Sequence, residues 1–94
     1  MEEKIRMISA AAQALLVFRH DPNAIDEEVF QYVSNYIESE NIKDEEIKRG
    51  MIAAAAKAIQ IARKNPKMSE KEVLREVMNE IPNLLAVLHQ EESQ

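Results

Sequence analysis

The segment Met51-Ile52-Ala53-Ala54-Ala55-Ala56-Lys57-Ala58-Ile59 is the second use of a pattern met 44 positions earlier, as Met7-Ile8-Ser9-Ala10-Ala11-Ala12-Gln13-Ala14-Leu15. The alignment continues without a gap to Ile37 and Ile81, and 13 of its 31 positions are identical. Four identities are Ala and could be compositional. Arg19/Arg63, Pro22/Pro66, Glu28/Glu72, Val29/Val73, Val33/Val77, Asn35/Asn79 and Ile37/Ile81 are harder to dismiss. An internal duplication restricts the fold to two like units sharing one core.

Those units are helical. The chain of 94 residues has one Gly and three Pro, with Ala, Glu, Lys, Ile and Met abundant. The first helix is expected from about Glu2 to His20, apolar around most of its circumference, as a central helix is. Asp21-Pro22 closes it. A second helix is expected from Asp26 as N-cap, stapled by Ile25 and Phe30, with Val29, Phe30, Val33 and Ile37 on its apolar face. After the link Asn41 to Lys43, Asp44 caps a third helix that ends at Asn65-Pro66. Gly50 inside it marks either a close backbone approach or a tolerated loss of helix propensity. Ser69-Glu70-Lys71-Glu72 is a capping box for a fourth helix. Pro82 should interrupt it, leaving a short fifth helix over about 83–90 and a frayed tail from Gln90 to Gln94.

The expected fold is therefore all-α and a single domain, with copy one over about 2–40 and copy two over about 44–81. Two repeats are too few for a solenoid, so a closed four-helix bundle with an internal pseudo-twofold follows, with the short C-terminal helix added. At this size the chain buries a modest core.

Composition removes several classes of function. Without Cys there is neither a disulfide framework nor a thiolate metal site, which fits a cytoplasmic setting. No apolar run approaches a membrane span, and Glu2-Glu3-Lys4 is not the start of a signal peptide. The net charge of −5 is uneven: residues 1–46 carry 11 acids and 4 bases, residues 47–94 carry 6 and 8. An acidic half speaks against general affinity for phosphate backbones.

No motif selects an enzyme. The two His, His20 and His89, stand at helix ends outside any Glu-x-x-His pattern, so capping or solvation is expected of both and no metal or other cofactor is implied. Asp21, Asn23, Asp26 and Glu27 lack the Gly and the terminal Glu of a calcium loop. The serines have no glycine-rich elbow and no suitably spaced His. The basic residues Lys57, Arg63, Lys64, Lys67, Lys71 and Arg75 surround the second turn, as in a module that touches nucleic acid, but Glu70, Glu72 and Glu76 are interleaved among them.

The sharper signal is the difference between copies. Copy one has Leu16, Phe18, Tyr32 and Tyr36 where copy two has Gln60, Ala62, Glu76 and Glu80. Phe18 reads as core filling. Leu16, Tyr32 and Tyr36, with Leu84, Leu85 and Leu88, read as a protein interface, because Tyr and large apolar groups dominate binding energetics. The expected function is that of a small non-enzymatic interaction or regulatory protein forming a homodimer. A nucleic-acid module using the basic turn is the alternative, and a C-terminal segment folded back over the same patch is the alternative to dimerisation.

Overall fold

The computed structural model of the chain describes residues 2–92, which form four helices packed together: α1 (Glu2–His20), α2 (Asp26–Ser39), α3 (Glu45–Lys64) and α4 (Glu70–Glu92). Ser93 and Gln94, the end of the expected tail, lie outside the described residues. None of the four helices is long and apolar enough to cross a membrane.

The two Ala-rich helices sit at the centre. Ala10, Ala11 and Ala14 of α1 and Ala54, Ala55 and Ala58 of α3 are all fully buried. Methyl side chains let two helix axes approach at the short end of the usual range. The pair runs side by side in one direction. Gly50 of α3 stands beside Met7 and Glu3 near the start of α1. Towards the other end Arg63 lies over the Phe18 ring, 5.7 Å from its centroid.

The remaining helices fill the grooves on either side of this pair. Val29, Val33 and Ile37 of α2 pack on Ala10, Ala14, Met51, Ala55 and Ile59. Val73, Val77 and Ile81 of α4 pack on Met7, Ala11, Leu15, Ala54 and Ala58. Eight of the nine buried residues in each cluster have their counterpart, 44 positions away, in the other; Ala62 and Ala24 are the exceptions. The identities Val29/Val73, Val33/Val77 and Ile37/Ile81 are thus core positions of the same kind.

Local chemistry accounts for the helix ends. Asp44 caps α3, its carboxylate accepting from the Glu46 and Ile47 amides at 2.9 and 3.3 Å. Ser69 and Glu72 form the reciprocal capping box, at 3.1 and 3.2 Å. Beyond α2, Asn41 takes a left-handed backbone (φ 58°), while its amide and that of Ile42 return to the carbonyls of Glu38 and Ile37. That is a Schellman stop with Asn in the position Gly usually holds.

Two expectations are corrected, and the choice left at Gly50 is decided. Asp26 does not cap α2. The capping position is Ile25, without a side-chain cap, and Ile25 is exposed. Asp26 instead pairs with Arg63 at 2.6 Å. Pro82 does not divide the fourth helix, and no separate fifth helix forms, because α4 continues through it to Glu92. Pro82 and Met78, one turn apart, are both exposed, on the side of α4 where a missing helix hydrogen bond costs least. Gly50 is a close approach: a Cβ there would lie 3.1 Å from Met7 Sδ and 3.2 Å from Met7 Cγ.

Candidate functional site

At the end of the bundle that carries both Pro turns, the basic residues are divided rather than gathered. Arg63 is committed to the fold: it donates to the Ala24 carbonyl at 3.2 Å, pairs with Asp26 and covers Phe18. Lys57 and Lys64 line a groove on the outer side of α3 with Phe30, Gln60 and Leu84. Lys71 and Arg75 line a different groove, between α1 and α4, with Ile8, Leu74 and Met78. Lys67 is exposed in the turn. Arg63 lines the same groove as Lys57 and Lys64, and Lys71 and Arg75 line another. Nearby, Asp21 accepts from the Asn23 amide at 3.1 Å, which makes it a turn former.

The apolar candidates also separate. Leu84 and Leu85 are half-buried against the α4 cluster, and Leu88 lines a shallow groove with Lys48, Arg49, Ile52 and Ala53 of α3. Leu16 is exposed on α1. Tyr36 is half-buried against the α2 cluster and Tyr32 is exposed. Phe30 faces the α3 groove, and at 100° per residue Tyr32 and Tyr36 fall on the opposite side of the Val29–Val33–Ile37 stripe, towards α1.

Leu16 belongs to a stripe. Ile5, Ser9, Ala12 and Leu16 share one outward face of α1, again by the 100° step. Ile8 leads from this face to Leu74 and Met78 of α4. Ile5 is 62% exposed, Leu16 45%, Tyr32 41% and Met78 48%. These are four of the six exposed large apolar side chains among the described residues. The equivalent positions of α3 are Arg49, Ala53, Ala56 and Gln60, polar at the two ends where α1 has Ile5 and Leu16.

The opposite end of the bundle holds a group that sequence reasoning missed. Glu3 of α1, Glu46 of α3 and His89 of α4 bring one donor atom each within 4.8 Å of the others. His89 Nε2 and Glu46 Oε1 are 2.6 Å apart. Glu3 Oε2 is shielded from solvent and has no hydrogen-bond partner among the described residues. Burial, and then the neighbouring Glu46 and Asp44 carboxylates, hold the Glu3 carboxyl above its ordinary range, with His89 opposing them. Beside this group Arg6 reaches Glu40 at 3.2 Å, joining the start of α1 to the end of α2. His89 is therefore not simply solvated. Its partners are 43 and 86 positions away in sequence, so no spacing motif could have disclosed them.

Compared with known protein families, with curated proteins and with solved structures, the chain matches none.

Proposed function

We propose that the chain is a non-enzymatic interaction protein that assembles with a second copy of itself through the outer face of α1. The observation that carries this reading is the pattern Ile5-Ser9-Ala12-Leu16, large at both ends and small in the middle. Turned about a twofold axis between Ser9 and Ala12, the stripe meets itself antiparallel. Ile5 then packs on the partner's Leu16, and the small residues let the helices close. Tyr32 and Tyr36 on one margin and Met78 on the other extend the contact. The mixed charges Glu70, Lys71 and Arg75 beside Met78 suit a self-complementary rim.

Covering a half-exposed large apolar side chain contributes on the order of 1 kcal/mol. Two copies bring eight such side chains. The association cost starts at about 4 kcal/mol and runs higher. The balance favours a dimer that dissociates on dilution. Sedimentation equilibrium of the full chain tests this against Leu16→Gln, which installs the residue found at the matching position of copy two. The full chain should dimerise in the high micromolar range and the variant should stay monomeric. A monomeric parent at those concentrations would remove the proposal.

The same reading takes the bundle as a duplicated helix hairpin with an internal pseudo-twofold along the α1–α3 pair. It is supported by the exchange of the two core clusters under the 44-residue shift. The difference between the halves then has a purpose: core positions are kept, while Leu16/Gln60, Tyr32/Glu76 and Tyr36/Glu80 make only one outer face adhesive.

A further inference from the structure

We propose that Glu3, Glu46 and His89 form a binding site for a first-row divalent transition-metal ion of the Zn²⁺ type. Three helices supply the site: the first turns of α1 and α3 and the last turns of α4. It faces away from the Ile5–Leu16 stripe, since Glu3 lies about 200° from Ile5 around α1. The proposal is therefore independent of the dimer.

A plain ion pair between Glu46 and His89 accounts for two of the residues and leaves the third without a reason. Glu3 is held beside a second carboxylate, and its shielded oxygen has no hydrogen-bond donor among the described residues. Gly50 of α3 stands beside Glu3, at ordinary contact distance from its Oε2. A cation between the three donors relieves the repulsion of the two carboxylates and gives the Glu3 carboxylate a partner.

The donor set selects the ion. One imidazole nitrogen with two carboxylate oxygens suits Zn²⁺ and its neighbours, whereas Ca²⁺ takes six to eight oxygens and Mg²⁺ keeps an octahedral shell of oxygen and water. Ligands at about 2.0–2.1 Å from a tetrahedral zinc stand about 3.3 Å from one another. The donor separations here, 2.6 Å between His89 Nε2 and Glu46 Oε1 and no more than 4.8 Å for any pair, are compatible with that value. His89 and Glu46 are both partly exposed, so their side chains can make the small adjustment. The ion takes the place of the direct Nε2–Glu46 contact and leaves a fourth position for water. Its structural effect is to clasp the end of α4 to the starts of α1 and α3.

The test is isothermal titration of the untagged, chelator-stripped full chain with ZnCl₂ and, separately, MgCl₂. His89→Ala, the pair Glu3→Gln/Glu46→Gln, His20→Ala as the control at the far end, and Leu16→Gln are titrated alongside. The expected result is one Zn²⁺ per chain for the parent, His20→Ala and Leu16→Gln. Zn²⁺ binding should be lost in His89→Ala and in the paired glutamine variant, and Mg²⁺ should give no binding. Thermal unfolding supplies a second readout: Zn²⁺ should raise the midpoint of the parent and leave that of His89→Ala unmoved. The proposal is overturned if the parent binds no Zn²⁺, if His89→Ala binds as the parent does, if Mg²⁺ binds equally well, or if one ion is shared between two chains.

Discussion

Arg19 donates from Nη2 to the carbonyl of Met68 at 3.0 Å, tying the end of α1 to the turn between α3 and α4. The identical residue 44 positions on does the reverse: Arg63 donates to the carbonyl of Ala24, the counterpart of Met68. Each arginine thus holds the other half's turn, which gives the Arg19/Arg63 identity a physical reason. The two are not equal, because Arg63 also covers Phe18 and pairs with Asp26. That pair is well exposed on both sides and adds little. Arg63→Ala should cost about 1–3 kcal/mol and Arg19→Ala about 0.5–1.5 kcal/mol. Urea unfolding of both variants checks the order, and an equal or greater loss from Arg19→Ala would contradict it.

Gly50→Ala sets helix propensity against space. The gain is about 0.5–1 kcal/mol, but the new methyl meets Met7, which is fully buried and has little freedom to retreat. Overpacking in a closed core costs about 1–3 kcal/mol. The expected outcome is a net loss on the order of 1 kcal/mol in the same unfolding experiment. A gain of the full propensity difference would mean that Met7 moves aside freely.

Pro82→Ala should stabilise the chain. Pro82 is exposed and lies within a continuous helix, where its ring opposes the carbonyl of Met78 and its missing N–H leaves that carbonyl unbonded. An alanine restores the bond, with an expected gain of about 1–3 kcal/mol. Hydrogen exchange at residues 83–88 should slow in the variant. Unchanged or faster exchange there would indicate a helix already broken after Ile81.

The limits of α1 and α3 were legible because their signals are local: Asp21-Pro22, Asp44 and Asn65-Pro66 each act within a turn of their own position. The Ser69–Glu72 box was legible for the same reason. Asp26 was misread because a carboxylate beside a helix start can cap it or reach elsewhere, and Arg63, which decides the matter, is remote in sequence. Pro82 was misread because its cost depends on whether the orphaned carbonyl meets solvent, which is a property of the packed bundle. The Arg19/Arg63 identity stood in the repeat, but its crossed partners did not. Glu3, Glu46 and His89 carried no signal, since only the directions of three packed helices bring them together.

Acid should weaken the capping box. The Ser69 amide and then the Ser69 hydroxyl, with Arg75 adding, hold the Glu72 carboxyl below the ordinary glutamate range. A carboxylate whose pKa falls on folding contributes stability that is fully present above its unfolded value. That contribution is lost as pH falls through the lowered folded value. Glu72→Gln removes the titration. The stability difference between parent and variant, followed by thermal unfolding, should be constant near neutrality and shrink on acidification below the glutamate range. A difference that widens on acidification would reverse the assigned sign.

The α1 face is tested most directly by cross-linking, because the chain has no cysteine and a single introduced thiol reports one contact. Ser9 lies next to the proposed twofold axis, and Ala53 is its counterpart 44 positions on, on the polar outer face of α3. Under mild oxidation at high micromolar concentration, Ser9→Cys should form a disulfide-linked dimer in high yield, while Ala53→Cys remains largely monomeric. Equal cross-linking at the two positions, or none at Ser9→Cys, would contradict an association through α1.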